Sequence, residues 1–271
     1  MKGPKPTLVD CGYASSYKSV LNGLAEVGVM PTDIRYIIPT HVHLDHAGAA
    51  GSLLKEMPNA QVIAHERGAP HLVDPTRLIE SSTKVFGSAI MGLYGLPEPI
   101  PPDRITAVGE EASLDLGDGL SATLIHTPGH APHQISIVLE GNAIFTADAV
   151  GIVYPGIKAL IPTTPPPSFN PSELVATIET IRQTKPPELL VPHFGARTDV
   201  DWVFDRTTEL VQRWVEEVKG LWKKGMSLDE ATGAMQGEVA REAGTSELPI
   251  YAQVSVRASV MGIIHYLEKN F

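Results

Sequence analysis

The stretch His41-Val42-His43-Leu44-Asp45-His46 decides how this sequence is interpreted, because four side chains able to bind a metal ion fall within six residues. It follows an apolar run at residues 34–38, which predicts a buried strand. In an extended segment residues i and i+2 point to the same side, so His41 and His43 can bind one ion together. The aspartate and the last histidine come where the chain turns toward a helix, and they face a different point. The pattern therefore predicts two ions side by side.

Three further motifs follow in order, each at the end of an apolar strand. They are Thr127-Pro128-Gly129-His130, Phe145-Thr146-Ala147-Asp148-Ala149 and Val191-Pro192-His193-Phe194-Gly195. With the hexapeptide, they resemble the signature of the metallo-β-lactamase-fold hydrolases. True β-lactamases usually place a cysteine at the second ion, whereas this sequence offers histidine and aspartate. The resemblance is therefore to the glyoxalase II and lactonase-like binuclear branch of that superfamily.

This resemblance implies a binuclear metal centre. The implied ligands are His41, His43, Asp45, His46, His130, Asp148 and His193. In that pattern Asp148 bridges two divalent ions, which share a hydroxide that acts as the nucleophile. Asp45 would both bind metal and orient this hydroxide. Nitrogen and oxygen ligands suit Zn²⁺ first, with Fe or Mn as alternatives.

Three polar residues are expected to support the ligands. The resemblance implies that Asp10 orients a metal-binding histidine from behind, and His126 is a candidate for the same role. His133 is a candidate proton donor to the leaving group. For both histidines, simple structural hydrogen bonding is the alternative.

The candidate substrate contacts lie in two segments that exceed a minimal fold of this family. Residues 66–104 form a predicted helical insert rich in apolar side chains, and residues 151–171 form a proline-rich loop. Long segments of this kind often act as lids or binding loops. The candidate contacts are Phe86, Tyr94, Tyr154 and Phe169.

The order of predicted elements indicates a mixed α/β fold, with strands and helices alternating first and hairpins from residue 113 onward. The resemblance implies a four-layer αββα sandwich of two mixed β-sheets flanked by helices, with a helical C-terminal extension. We expect a metallo-β-lactamase-like domain at residues 1–198. Residues 199–271 would be a helical extension packed on the same domain.

The composition indicates the class of protein and its expected cellular location. The 271 residues are 43% hydrophobic and 19% charged, which is typical of one globular protein. No apolar run is long enough for a membrane span and no signal peptide is visible, so we expect a cytoplasmic protein without a membrane partner. The single cysteine, Cys11, excludes an internal disulfide.

The net charge indicates which binding partners to expect. The net charge of −10 argues against nucleic acid and favours a small-molecule substrate. An uncovered edge at the first strand, residues 7–10, would allow pairing with a second chain, so a homodimer is left open.

The sequence therefore predicts a metal-dependent hydrolase of a small carboxylic ester or lactone. The apolar character of the candidate lid and the excess of acidic over basic residues favour this class. A glyoxalase-II-like thioesterase and a phosphotriesterase side activity are the enzymatic alternatives. A metal-binding sensor protein is the non-enzymatic alternative.

Overall fold

A computed structural model describes residues 1–139 and 141–271 of the chain. These residues divide into two compact units. The first contains Met1–His126 and the segment that begins at His133, and the second contains Thr127–Pro132 and Gly141–Phe271. The predicted fold class is confirmed: the structure is mixed α/β, with sheets flanked by helices and a helical C-terminal region.

The first unit combines a parallel sheet with an antiparallel one. Its strands are β1 (Thr7–Val9), β2 (Tyr36–Ile38), β3 (Gln61–His65), β4 (Ile105–Val108), β5 (Glu111–Gly117), β6 (Leu120–His126) and β7 (Ile135–Leu139). Its helices are α1 (Tyr17–Glu26), α2 (Leu44–Ala47), α3 (Ala50–Glu56), α4 (Ala69–Val73), α5 (Thr76–Phe86) and α6 (Ser88–Tyr94). Strands β1 to β4 lie side by side in chain order and run parallel, while β5, β6 and β7 pair antiparallel.

The parallel sheet explains the apolar run before the hexapeptide. Ile37 of β2 pairs with Leu8 on one side and Val62 on the other. Ile37 and Val62 are fully buried, with Leu53 of α3 in the same cluster and Leu24 of α1 packed against it. Strands of a parallel sheet are covered on their faces by the crossover helices, so they are apolar without alternation.

Helix α2 begins earlier than the apolar pattern indicates. Residues 47–57 predict one helix, but the helical turn starts at Leu44 and a second helix, α3, follows. The N–H groups of His46 and Ala47 donate to the carbonyl of His43, which closes the turn directly after that residue. Asp45 therefore lies in the first turn of a helix.

The second unit begins its regular structure with short strands and ends in long helices. Its strands are β8 (Ala143–Phe145), β9 (Ile152–Val153), β10 (Leu160–Ile161), β11 (Leu189–Val191) and β12 (Gly195–Arg197). Its helices are α7 (Pro171–Gln183), α8 (Val200–Lys223), α9 (Leu228–Ala243) and α10 (Ile250–Asn270). Strand β11 pairs parallel with β8 and antiparallel with β12.

The proline-rich segment contains structure that its composition does not indicate. Strands β9 and β10 pair antiparallel within residues 151–171, with Ile152 opposite Ile161. The two isoleucines and Leu160 are buried. Branched apolar side chains favour strands where they are half or fully buried, and here that burial outweighs the many prolines nearby.

The C-terminal helices follow their sequence signals closely. Helix α9 has a capping box, in which the Ser227 hydroxyl accepts from the Glu230 N–H and the Glu230 carboxylate accepts from the Ser227 N–H. It ends at Gly244 in the left-handed conformation, which glycine adopts readily. Helix α8 buries Trp214 completely. Within the described parts of the chain, the structure contains no helix with the length and apolar character needed to cross a bilayer.

The contact between α8 and α9 predicts a pH dependence of stability. Burial, followed by a hydrogen bond and charge repulsion from Glu238, raises the pKa of Glu217 to about 7. The folded-state pKa of Glu217 exceeds its unfolded value of 4.5. The contribution of protonated Glu217 to stability is therefore full below about pH 4.5, and it is lost as the pH rises through 7. We expect Glu217→Gln to raise Tm at pH 8 by about 2 °C and to leave it unchanged at pH 4.5, because the side chain is partly solvent-screened.

Differential scanning fluorimetry at both pH values measures this effect. Glu216→Gln is the matched control, since its side chain is 72% exposed on the same helix. An equal shift of Tm at pH 4.5 and pH 8 would contradict the expected proton linkage.

Candidate metal centre

In the first unit, the hexapeptide places histidines and an aspartate at the end of β2 and in the first turn of α2. His41 Nε2 and His43 Nδ1 are 2.9 Å apart. The rings of His41 and His46 have centroids 4.0 Å apart, and His46 Nε2 lies 3.6 Å from Asp45 Oδ2. His41 and His46 are buried, whereas Asp45 is partly exposed. The i, i+2 spacing therefore brings two imidazole nitrogens to one point, with a third imidazole beside them.

Asp10 holds two of these histidines in one tautomer. Its Oδ2 lies 2.9 Å from His46 Nδ1, and its Oδ1 accepts from the N–H and the hydroxyl of Thr40. Because that hydroxyl donates to Asp10, it accepts from His41 Nδ1, which is 3.1 Å away. In neutral rings both Nε2 atoms then carry a lone pair. This is the arrangement in which a carboxylate orients metal-binding histidines.

In the second unit, Asp148 lies between two histidines. His130 Nε2 is 3.6 Å from one carboxylate oxygen, and His193 Nε2 is 3.5 Å from the other. His130 Nδ1 donates to the carbonyl of Thr163 at 2.9 Å, so its Nε2 carries the lone pair in the neutral ring. The carboxylate oxygen and this nitrogen are both acceptors, so neither can donate to the other. A cation between them would bind the lone pairs of both. The donor set therefore fits a metal.

The backbone around Asp148 is sterically unfavourable. Asp148 lies in the short 3₁₀ turn Ala147–Ala149, and Ala147 has a φ of 50°, which costs free energy for a residue with a Cβ. The hydroxyl of Thr163 donates to the Asp148 carbonyl at 2.7 Å. Strained residues that persist next to polar clusters are common at functional sites.

The candidate supporting histidines occupy different surroundings in the first unit. The N–H of Val42 donates to His133 Nδ1 at 3.4 Å, so the neutral ring of His133 carries its proton on Nε2. The ring centroids of His133 and His43 are 6.2 Å apart. The His126 ring stacks on His65 with centroids 4.0 Å apart, and its Nδ1 lies 3.0 Å from the Glu110 carboxylate.

The stacked pair and its partner Glu110 show two shifts in pKa. Burial, followed by repulsion from His126, lowers the pKa of His65. The hydrogen bond from His126 lowers the pKa of the exposed Glu110 carboxyl.

The candidate substrate contacts also differ in their surroundings. In the first unit Tyr94 stacks on Tyr13 with centroids 4.0 Å apart, and the Phe86 ring contacts Tyr94 edge-on. In the second unit Tyr154 contacts two aromatic rings, whereas Phe169 is buried beside Tyr266.

Sequence reasoning did not identify Thr40 or Thr163 as supporting residues. Thr40 directly precedes the hexapeptide, and its hydroxyl could have been suspected from that position. Thr163 orients His130 through its main-chain carbonyl, which every residue type possesses. That contact leaves no signal in the sequence.

The arrangement around Asp10 predicts the effect of one substitution. In Asp10→Asn, an amide nitrogen facing His46 Nδ1 places donor against donor, which favours the tautomer with the proton on Nε2. We expect metal affinity to fall by about 10–100-fold, measured by competition with a chromogenic chelator. Asparagine also tolerates the φ of 52° at this position, so the backbone is little disturbed.

Asp115→Asn is the control for Asp10→Asn, because Asp115 is an exposed carboxylate of the same unit that pairs with Lys5. Equal metal affinities of the two variants would contradict the orienting role of Asp10.

Clusters of histidine and aspartate at strand ends of an α/β fold are typical of metal-dependent hydrolases. The chain belongs to the metallo-beta-lactamase superfamily, whose family model matches residues 5–193. Members of this superfamily are hydrolases, and the His/Asp clusters described above are able to hold metal ions.

Relatives with similar sequences support this membership. The metallo-beta-lactamase fold-containing protein ST1585 of Sulfurisphaera tokodaii is 33% identical over 170 residues, which are 61% of this chain and 60% of that protein. The N-acyl homoserine lactonase AttM of Azorhizobium caulinodans is 26% identical over 175 residues, 63% of this chain and 59% of that protein. The matches thus span about three fifths of these two relatives.

A solved structure supports the fold. The metallo-beta-lactamase family protein TTHA1429 from Thermus thermophilus superposes with a TM-score of 0.69 at 18% identity, covering 99% of this chain and 87% of that one. At this identity the likeness concerns the fold alone.

Proposed function

We propose that this protein is a binuclear metallo-hydrolase that cleaves a small carboxylic ester or lactone, with zinc as the default metal. The observation that carries the proposal is the position of Asp148, whose two oxygens each face a different histidine. A carboxylate with this arrangement suits a bridge between two ions. The ligand pattern of the superfamily implies His41, His43, Asp45, His46, His130, Asp148 and His193 as the ligands of these ions.

When bound, two such ions would polarise the substrate carbonyl and lower the pKa of a shared water toward neutrality. Residues of the chain would orient the water, donate the proton and hold the ligand tautomers. Asp45, which is partly exposed, would accept a hydrogen bond from the attacking water and orient it. His133 would donate the proton on its Nε2 to the leaving oxygen. Asp10 would keep His41 and His46 in the metal-binding tautomer.

Three observations favour an ester or lactone over the alternatives. Acidic residues outnumber basic ones by 31 to 21, which disfavours strongly anionic substrates. The aromatic rings of Tyr154 and its neighbours suit an apolar substrate group. A lactonase is among the relatives with similar sequence.

The test combines metal analysis with a substrate panel. We expect purified protein to hold two metal ions per chain by inductively coupled plasma mass spectrometry. Among lactones, aryl esters, thioesters and phosphotriesters, we expect lactones or esters to have the highest kcat/KM. Chelation should abolish turnover, and added Zn²⁺ should restore it.

The other outcomes separate the alternatives. Fastest hydrolysis of a thioester would replace the proposal with the thioesterase. Two bound ions without turnover of any panel member would favour the metal-binding sensor. Turnover that survives complete removal of metal would contradict the proposed centre altogether.

A further inference from the structure

In the second unit, Tyr154 contacts two aromatic side chains that lie far from it and from each other in the sequence. The ring centroids of Tyr154 and Phe194 are 5.1 Å apart, and those of Tyr154 and Tyr251 are 4.9 Å apart. Tyr154 directly follows β9, Phe194 lies between β11 and β12, and Tyr251 is in the first turn of α10. These three residues are called the aromatic cluster, and one of them, Phe194, directly follows the candidate ligand His193 in the chain.

Phe194 is held in a costly position without being buried. The residue is 57% exposed, and its φ of 71° lies in the left-handed region that residues with a Cβ avoid. Phe194 follows His193 directly in the chain. An exposed ring in a strained conformation contributes little to a hydrophobic core. Such strain is typical of functional sites, where the side chain is needed at that place.

Tyr154 anchors the cluster. It is 8% exposed, and its hydroxyl is hydrogen-bonded to that of Ser255 on α10. A buried aromatic ring with its polar end satisfied is a rigid support. Tyr251, by contrast, is 46% exposed. The cluster therefore has a fixed base and two rings with faces open to solvent.

Exposed apolar residues accompany the cluster along the chain. Ile250 and Val254 are exposed at the start of α10, beside Tyr251 in the sequence. The nearest cation along the chain from Phe194 is Arg197, whose guanidinium pairs with Asp199 and lies over the Trp202 ring. Arg197 is thus already committed to other groups. This composition suits an uncharged, apolar ligand group better than a carboxylate or phosphate.

We infer that Phe194 and Tyr251, supported by Tyr154, bind the apolar part of the substrate, which is an alkyl chain or aromatic ring on the acyl side of the ester or lactone. The inference rests on the proposed function, because it places the reacting carbonyl at His193. It makes these two rings specificity-determining residues, and it predicts a preference for long over short acyl groups.

The test compares aryl hexanoates with aryl acetates. In Phe194→Ala and Tyr251→Ala, we expect the ratio of kcat/KM for hexanoate over acetate to fall about tenfold, mainly through a higher KM for the hexanoate. Alanine retains a Cβ, so the strain at position 194 is unchanged and the loss reports on the ring. Phe194→Tyr should restore most of the ratio.

Trp202→Ala is the matched control, because Trp202 is a similarly exposed aromatic residue of the second unit and packs against Arg197. We expect it to retain the wild-type ratio. An unchanged ratio in both Phe194→Ala and Tyr251→Ala would overturn the inference. So would a change of oligomeric state in these variants, by size-exclusion chromatography, without a change of the ratio, since the rings would then serve self-association.

A binding measurement keeps the inference separate from the proposed function. Hexanamide and acetamide are uncharged analogues, and saturation-transfer NMR measures their binding without turnover. We expect wild-type protein to bind hexanamide more tightly, and Phe194→Ala to lose this preference. If no ester is hydrolysed, the proposed function fails but this preference still decides the inference. Equal binding of hexanamide by wild type and variant overturns it.

Discussion

Replacing Asp148 with alanine is expected to remove metal and nearly all hydrolytic activity. The carboxylate is buried, and each of its oxygens faces one imidazole in the second unit. Without it, two histidine nitrogens would have to hold cations with no bridging anion between them. We expect fewer than two ions per chain and a fall in kcat/KM of about 10³-fold or more, equivalent to about 4 kcal/mol. Mass spectrometry of bound metal and initial rates measure both effects.

Asp201→Ala is the control for this loss, because Asp201 is an aspartate of the same unit whose side chain is 89% exposed. It should retain metal and activity. Asp148→Asn is an intermediate variant, because its amide keeps one oxygen but loses the charge. We expect it to lose part of the bound metal. The bridging assignment is wrong if Asp148→Ala keeps two ions and wild-type rates.

The positions of the ligand-bearing motifs were predictable because each follows an apolar strand. The run at residues 34–38 contains β2, and the motif that carries His193 begins in β11. Strands have a two-residue repeat, so the i, i+2 relation of His41 and His43 could be inferred directly. The amphipathic pattern of residues 172–184 likewise predicts a helix, and α7 spans Pro171–Gln183. The placement of the candidate ligands at strand ends was therefore predictable from local patterns.

The details that sequence reasoning missed depend on contacts between distant segments. The strand pair β9–β10 in the proline-rich segment forms because its side chains are buried, which no local pattern reports. The contacts of Tyr154 with Phe194 and Tyr251 join residues that lie far apart in the chain. Tertiary structure decides both.

The loop that carries His130 is also defined by tertiary contacts, and it connects the fold to the candidate metal centre. The Gly129 carbonyl accepts from the Asn170 N–H at 2.8 Å, and the Pro128 carbonyl accepts from the Thr177 hydroxyl. Gly129 has a φ of 123° and packs on the backbone of α7. The position of His130 therefore depends on the close approach of this loop to one helix.

Gly129→Ala is expected to destabilise the protein strongly and to weaken metal binding. A Cβ at position 129 would lie 2.3 Å from the backbone nitrogen of Leu174, which cannot move without displacing α7. Overlap with backbone adds to the penalty of a φ that residues with a Cβ avoid. We expect a loss of about 3 kcal/mol or more in the free energy of unfolding. Thermal unfolding and metal content measure the two consequences.

Gly156→Ala separates the steric part of this effect from the backbone part. Gly156 also has a positive φ, 82°, but a Cβ there would meet nothing within 4 Å. We expect it to cost about 1 kcal/mol, the typical penalty for a left-handed residue with a Cβ, and to leave metal content unchanged. If the two alanine variants unfold at the same temperature, the close packing of Gly129 on α7 does not determine stability. If Gly129→Ala unfolds early but binds two ions with wild-type affinity, the loop does not position His130.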